Sequence, residues 1–177
     1  MIAELLASRI RDVPDYPKPG IVFKDITPLL ADPKTFRAMT GEFTRHAREA
    51  RATKVVGLEA RGFILAAPVA VEAELGFIPV RKAGKLPGAV YAVSYALEYG
   101  EATLEIHRDS FQPGDRVLIV DDVLATGGTA AAAVEAVRRG GAEPVGVSVL
   151  LELGFLSGRA RLAADAPGVP VTALLRV

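Results

Sequence analysis

The sequence has no cysteine, no tryptophan and only two histidines. Without cysteine, disulfides, thiolate metal sites and a cysteine nucleophile are excluded. Lys plus Arg and Asp plus Glu each number 21, so no positive surplus attracts nucleic acid or an acidic membrane. No apolar run is long enough to span a bilayer, and the N-terminus mixes charged with apolar residues, unlike a signal peptide. We therefore expect a cytoplasmic protein without nucleic-acid or membrane partners.

The length and composition are those of an ordinary globular protein. The chain has 177 residues, of which 50% are hydrophobic and 24% charged. A chain of this size buries roughly 70% of its unfolded surface, so its core needs no disulfide or metal to support it. We predict a single domain over residues 1–177.

Continuously apolar strands alternate with helices along the chain. Predicted strands cover residues 54–59, 77–82, 116–120, 144–152 and 169–177. Predicted helices cover the first ten residues, a segment that starts at Asp32-Pro33, and residues 62–76 and 129–141. This pattern is typical of an α/β domain with a mostly parallel sheet flanked by helices. Residues 93–99 and 101–107 alternate around Gly100, which predicts a hairpin inserted over one edge of that sheet.

The stretch VLIVDDVLATGGT (117–129) carries the clearest chemistry. Asp121 and Asp122 are predicted to follow directly after a strand, where ligands of open α/β sheets bind. Residues 125–129 (Ala-Thr-Gly-Gly-Thr) then enter a helix, so their backbone N–H groups form a phosphate cradle. We expect donors from Ala125, Thr126, Gly127, Gly128 and Thr129. Since carboxylates accept hydrogen bonds from a sugar diol, one ligand satisfies both features, a ribose 5-phosphate.

These residues resemble the signature of the type I phosphoribosyltransferases, which bind phosphoribosyl pyrophosphate (PRPP). Further segments resemble the adenine branch of that family and cover nearly the whole chain in family order. They are PKPGIVFKDITPLL (17–30), GLEARGFILAAP (57–68), RKAGKLPG (81–88), SYALEYGEATLEIH (94–107) and LELGFLSGR (151–159). The resemblance implies the type I phosphoribosyltransferase fold, with a small N-terminal hood (approximately residues 1–30) and a hairpin lid (approximately residues 82–108).

A second anion site is predicted at EARG (59–62), where a strand turns into a helix. The resemblance implies that Glu59, Ala60 and Arg61 form a pyrophosphate loop in which the peptide bond before Ala60 is cis.

A cationic segment follows one strand later in the chain. Arg81, Lys82 and Lys85 lie beside glycines and a proline, which suggests a mobile strap for pyrophosphate. The resemblance implies that Arg81 reaches the active site from a neighbouring subunit.

The resemblance also implies the site for the base. Phe23 and Leu153 would stack on the two faces of adenine, and the backbones of Val22 and Lys24 would contact its edge. Glu98, in LEYG, would lie against N7 of adenine. A carboxyl group there can donate a proton to N7 or accept one from it while N9 reacts. Glu98 is therefore the predicted catalytic residue.

The implied reaction converts adenine and PRPP to AMP and pyrophosphate, a step of purine salvage. Mg²⁺ is expected to be carried by the substrate and water, without direct protein ligands, and the enzyme is expected to be a homodimer. Three alternatives stay open: a phosphoribosyltransferase for another purine base such as xanthine, a non-catalytic regulator that senses PRPP, and a receiver-like domain with acids at its strand ends.

Overall fold

The computed structural model describes residues 1–97 and 100–177, which form a large sheet covered by helices and a small N-terminal sheet. The strands are β1 (Arg11–Pro14), β2 (Val22–Asp25), β3 (Lys54–Leu58), β4 (Gly76–Lys82), β5 (Val90–Ala96), β6 (Glu101–His107), β7 (Arg116–Leu124), β8 (Glu143–Glu152) and β9 (Val171–Arg176). The helices are α1 (Ile2–Ala7), α2 (Thr27–Ala31), α3 (Pro33–Glu49), α4 (Arg61–Ala73), α5 (Gly128–Arg139) and α6 (Gly158–Asp165), with a 3₁₀ turn at Gly154–Leu156.

The seven strands of the large sheet are arranged in the order β5-β6-β4-β3-β7-β8-β9. Pairing is parallel from β4 across to β9, whereas β6 runs antiparallel to both β4 and β5. The predicted α/β class with a mostly parallel sheet is therefore confirmed. The predicted hairpin is the β5–β6 pair, and it extends the sheet edge beside β4 instead of lying over that edge.

Apolar residues on both faces of β7 explain why the sheet is covered on two sides. Leu118 and Val120 belong to a buried cluster shared with α3 and α4. Val117 and Ile119 belong to a second cluster shared with α5 and α6. Because successive strand residues point to opposite faces, this strand reads as a continuous apolar run.

The start of α3 follows the predicted capping pattern. Asp32 is the N-cap residue, and its Oδ2 accepts a hydrogen bond from the Thr35 N–H at 3.2 Å. Pro33 occupies the first helical position, where a missing N–H costs no hydrogen bond. The predicted start of this helix at Asp32-Pro33 is confirmed.

The predicted end of β7 at residue 120 is wrong. The strand continues through Asp121 and Asp122 to Leu124, since β8 pairs with it over that whole length. The neighbour on the other side, β3, pairs with β7 only as far as Val120. The two acids therefore lie within a strand, beyond the end of one neighbour.

Other differences lie in the short elements. The first helix ends at Ala7, and β5 starts at Val90, earlier than the predicted residue 93. Positions 98 and 99 of the predicted strand lie outside the described residues. The pattern did not predict β1, which pairs antiparallel with β2, or α2 and α6. Within residues 1–97 and 100–177, no helix is both long and apolar enough to cross a membrane.

Candidate active site

A cleft of about 730 Å³ opens where β7 and its neighbours end. Residues from β2, from the turn after β3, from β7 and from the loop into α5 line it together. The predicted site residues on its wall are Val22, Phe23, Lys24, Glu59, Ala60, Arg61, Lys82, Asp121, Asp122, Ala125, Thr126, Gly127, Thr129 and Leu153. Segments far apart in sequence thus meet around one volume.

The loop of residues 125–129, here called the phosphate loop, leads into α5 with its amide groups uncapped. Gly127 is the N-cap residue, has φ 86° and makes no side-chain cap bond. A left-handed φ at this position favours glycine. The first N–H groups of a helix have no partner within the helix and point outward at its positive end, so this loop suits an anionic ligand.

The phosphate loop rests directly on the backbone of α6. A Cβ atom added at Gly158 would lie 2.1 Å from the carbonyl oxygen of Ala125, and one added at Gly127 would lie 2.5 Å from the carbonyl oxygen of Gly158. Real Cβ atoms do not approach backbone this closely, so both positions need glycine. Gly158 was not predicted as a site residue, although the segment LELGFLSGR contains it.

The two acids of β7 have different surroundings. Asp122 is buried and forms an ion pair with Arg61, whose Nε donates to Oδ2. Asp121 lies against Gly62 and accepts a hydrogen bond from the Asp122 N–H at 2.9 Å. Burial, together with the neighbouring charge of Asp122, raises the pKa of Asp121 well above its ordinary value. Arg61 therefore balances the charge of one acid, while the other is disfavoured as an anion.

The turn after β3 is built around Glu59. The Glu59–Ala60 peptide bond is cis, as the resemblance implied. The Glu59 carboxylate accepts a hydrogen bond from the Lys82 N–H at 2.9 Å and one from Arg81 Nε at 3.2 Å. The Lys82 N–H and, after it, the Arg81 guanidinium lower the pKa of Glu59. These contacts join the turn to the end of β4.

The three residues of the predicted cationic strap, Arg81, Lys82 and Lys85, differ in their position relative to the cleft. Lys82 lines the cleft, whereas Arg81 and Lys85 are absent from its described lining. Arg81 binds Glu59 and donates through Nη1 to the carbonyl oxygen of Lys85 at 3.2 Å. The Gly84 N–H donates to Glu105 at 3.0 Å, which ties the strap to β6. Arg81 is thus engaged within its own chain.

The region predicted for the base has an aromatic wall. The Phe23 ring meets Tyr16 edge-on, with centroids 5.3 Å apart, and the Arg61 guanidinium lies 5.5 Å above the Phe23 centroid. The side chain of Lys24 turns away to an ion pair with Asp12 at 2.7 Å. The ammonium group is therefore occupied, which leaves the main chain of Lys24 to contact a ligand.

Leu153, the other predicted base contact, follows directly after β8. Its N–H donates to the carbonyl oxygen of Leu124 at 2.9 Å. The preceding residue, Glu152, is buried and accepts hydrogen bonds from Arg159 at 2.5 to 3.2 Å. The Arg159 guanidinium lowers the pKa of the Glu152 carboxyl. This pair holds the end of β8 to α6 and fixes the position of Leu153.

Glu98, the predicted catalytic residue, lies outside the described residues. Gly128 is buried and is not among the described residues that line the cleft. Tyr95 and Leu97 line the cleft from β5 and from the position just after it, and sequence reasoning missed both. Their position in the sequence, three residues and one residue before Glu98, could have indicated that they lie near the site.

Comparisons with known proteins agree with this geometry. Residues 29–165 match the family model described as a phosphoribosyl transferase domain. The adenine phosphoribosyltransferase of Streptomyces galbus is 66% identical over 176 residues, which is 99% of this chain and 97% of that relative. The crystal structure of adenine phosphoribosyltransferase from Rhodothermus marinus DSM 4252 has a TM-score of 0.92 at 50% identity, covering 99% of this chain and 98% of that one. The Saccharomyces cerevisiae enzyme, complexed with D-2,5-dideoxy-2,5-imino-altritol 1,6-bisphosphate and adenine, has a TM-score of 0.91 at 38% identity, with 98% of each chain covered. The chain therefore belongs to the phosphoribosyltransferase family, within its adenine phosphoribosyltransferase branch.

Proposed function

We propose that the cleft transfers the phosphoribosyl group of PRPP to adenine and releases AMP and pyrophosphate. The observation that carries this proposal is the order of groups along one cleft. An uncapped helix end, a pair of acids, a second helix start with an arginine, and an aromatic wall all line it. PRPP and adenine together offer a matching 5-phosphate, diol, pyrophosphate and planar base.

The phosphate loop holds the 5-phosphate in this proposal. Its backbone amides donate to the phosphate oxygens, and the hydroxyls of Thr126 and Thr129 add two further donors. Asp121 and Asp122 accept hydrogen bonds from the ribose hydroxyls. The two groups fix both ends of the ribose 5-phosphate, so C1 is held at a defined place in the cleft.

Pyrophosphate leaves toward the turn at Glu59–Arg61. Arg61 and Lys82 line the cleft there and supply positive charge, while the start of α4 supplies amide donors. Arg81 lies in β4 and pairs with Glu105 of β6, so its proposed contact with pyrophosphate needs only a movement of its side chain. Lys85 lies in the loop after β4, which is proposed to close over the ligand. Glu59 has a structural role in this arrangement because both its partners belong to β4.

Mg²⁺ is proposed to arrive with PRPP. Among the described residues no group of three or more acids and histidines could hold a metal ion. Asp121 and Asp122 are assigned to the ribose hydroxyls, so Mg²⁺ is proposed to be held by substrate phosphate and water, since this ion usually keeps several waters and binds substrate phosphates. When bound, it neutralises the pyrophosphate as that group departs.

Adenine is proposed to lie between Phe23 and Leu153, with the backbones of Val22 and Lys24 along its edge. These two residues present their main-chain groups to the same side of β2, because alternate strand residues do so. N9 of the N7–H form of adenine attacks C1 of the ribose as the bond to pyrophosphate breaks, and the Glu98 carboxylate accepts the proton that N7 loses. Positive charge on the sugar makes water a competitor, so closure of the hood and lid protects the reaction.

A parallel assay tests the proposed function. PRPP and Mg²⁺ are supplied with adenine, guanine, hypoxanthine or xanthine, and release of pyrophosphate is measured. We expect turnover with adenine alone and loss of turnover when the metal is chelated. Preference for xanthine or another base would support the alternative base specificity. PRPP binding without turnover on any base would support a PRPP-sensing regulator.

The acid pair offers a direct prediction. Replacing Asp121 and Asp122 together by Asn keeps their shape but weakens acceptance of hydrogen bonds from the ribose diol. We expect the KM for PRPP to rise by about tenfold or more and kcat to fall, since a charge-assisted bond to the ionised Asp122 contributes about 1.5–3 kcal/mol by itself. Steady-state kinetics at saturating adenine measure this, and an unchanged KM for PRPP would contradict the assignment.

Base selectivity is predicted to survive loss of the Lys24 side chain. Its ammonium group is paired with Asp12, so Lys24→Ala removes that ion pair and leaves the main chain in place. We expect adenine to stay the preferred base, with kcat/KM changed by less than about fivefold, because ion pairs of this kind contribute about 1 kcal/mol or less. The four-base assay measures this. A shift toward guanine or hypoxanthine would show that the side chain reads the base.

A homodimer is proposed, located in the cytoplasm. The outer face of α4 supports self-association, since Ile64 is 45% exposed and Val71, two turns further on the same face, is 80% exposed. The net charge of zero does not oppose association. Light scattering is expected to give a mass in solution of two chains. Val71→Lys is expected to shift that mass toward that of a single chain. A fully active monomer would exclude both the dimer and a role of Arg81 across subunits.

A further inference from the structure

Tyr95 joins the hairpin to the phosphate loop through two contacts. Its hydroxyl accepts a hydrogen bond from Thr129 Oγ1 at 3.2 Å. Its ring lies over Gly128, where an added Cβ would come 3.3 Å from Cδ2. The side chain is half-buried against the core cluster of α5 and also lines the cleft. Tyr95 therefore contacts the last two residues of the phosphate loop from the side of β5.

The same strand is fastened to α5 at a second point. Arg139, in the last turn of α5, donates through Nη1 to the carbonyl oxygen of Ala92 at 2.7 Å. Ala92 and Tyr95 thus bind opposite ends of the helix that carries the phosphate loop. This part of β5 has a fixed position relative to α5, and the chain reaches Glu98 three positions after Tyr95.

The hydrogen bond between the Tyr95 and Thr129 hydroxyls can run in either direction, depending on which of them donates. Each hydroxyl has one proton to donate and lone pairs that accept. In the structure Thr129 Oγ1 is the donor to the Tyr95 hydroxyl. A phosphate in the loop competes for the Thr129 proton, since a hydrogen bond to a charged oxygen is stronger than one between neutral groups. The Tyr95 hydroxyl can then reverse its role and donate to Thr129 Oγ1.

We propose that Tyr95 is a positioning residue for recognition of the 5-phosphate of PRPP. Its hydroxyl orients the Thr129 hydroxyl toward the phosphate, and the chain Tyr95 to Thr129 to phosphate polarises each bond in turn. Its ring packs on Gly128, so β5 supports the phosphate loop from the side of the hairpin. This inference rests on the proposed function, and it adds a residue from the hairpin to the phosphate site.

Tyr95→Phe tests the role because it removes the hydroxyl and keeps the ring on Gly128. We expect the KM for PRPP to rise about threefold to tenfold, the ratio that corresponds to one hydrogen bond. The KM for adenine is expected to stay the same. Tyr91→Phe is the matched control, since Tyr91 lies on the same strand with its ring under Arg108, 5.2 Å from the guanidinium carbon. We expect the control to keep the kinetics of the unmodified enzyme.

A double-mutant cycle tests the route through Thr129. Thr129→Val removes the intermediate hydroxyl, so adding Tyr95→Phe in that background is expected to change the KM for PRPP by less than about twofold. Additive effects of the two substitutions would overturn the inference. An equal rise in the KM for adenine, or an equal effect of Tyr91→Phe, would also overturn it.

Ligand binding without turnover separates this inference from the proposed function. Calorimetric titration with ribose 5-phosphate reports on the phosphate loop and the acid pair, without the base or the pyrophosphate. The unfolding temperature with and without that ligand shows that each variant is folded. If the unmodified enzyme binds ribose 5-phosphate and Tyr95→Phe binds it equally well, only the role of Tyr95 fails. If the unmodified enzyme binds neither ribose 5-phosphate nor PRPP, the proposed function fails.

Discussion

Gly158→Ala is expected to lower kcat/KM for PRPP by about 100-fold, although position 158 lies at the start of a helix outside the cleft lining. A methyl group there would lie 2.1 Å from the carbonyl oxygen of Ala125, which belongs to the backbone and cannot turn aside. The phosphate loop must shift by about an ångström, and displacement of that size typically costs about 100-fold in rate. Initial rates at varied PRPP and saturating adenine measure the loss.

Gly41→Ala provides the control for the loss of a glycine. Gly41 lies within α3, and an added Cβ would meet no atom within 4 Å. Alanine favours a helix by about 1 kcal/mol over glycine, so this variant is expected to be fully active and slightly more stable. Full activity of Gly158→Ala would contradict the packing of α6 against the loop. If that variant is unstable, its unfolding temperature measured with and without PRPP tests whether ligand restores the fold.

Glu98→Gln is expected to lower kcat by about 100- to 10,000-fold, the contribution of general acid–base catalysis by one positioned group. The amide keeps the size of the side chain but cannot exchange a proton at N7 of adenine. The KM for PRPP is expected to change little, because the phosphate and diol contacts come from other residues. Single-turnover measurements with adenine and PRPP separate this loss from slow product release.

Glu101→Gln is the matched control for Glu98→Gln. Glu101 is an exposed acid at the start of β6 in the same hairpin. Glu105 is less suitable, because its carboxylate accepts the Gly84 N–H at 3.0 Å and so holds the strap. An equal loss in Glu101→Gln would assign the effect to hairpin charge. Normal turnover in Glu98→Gln would show that Glu98 does not act by proton transfer. Catalysis would then depend on positioning of the substrates and on stabilisation of the leaving group.

Local sequence patterns predicted the elements that are defined by their own residues. The helix start at Asp32-Pro33 and the central strands carry their signals within a few residues. The end of β7 was different, because acids normally mark the end of a buried strand. Here β8 supplies hydrogen-bond partners as far as Leu124, and that pairing extends the strand past both acids. Long-range pairing therefore overrode the local pattern.

The parts of the site that were missed depend on contacts between distant segments. The need for glycine at position 158 arises only when α6 meets the loop of residues 125–129. The importance of Tyr95 arises only when β5 lies along α5. Neither segment carries a motif of its own for phosphate. Spacing along the chain could predict the phosphate loop but not the groups that support it from behind.

The position of Arg61 has a consequence for discrimination between whole and partial ligands. Its guanidinium forms an ion pair with Asp122 and also lies over the Phe23 ring. With the proposed roles, pyrophosphate draws Arg61 away while the ribose hydroxyls replace it at Asp122. A ligand that brings only one of these groups leaves the other charge without its partner, which costs free energy. The ion pair of Arg61 with Asp122 thus acts against fragments of the substrate and favours the one molecule that carries both groups.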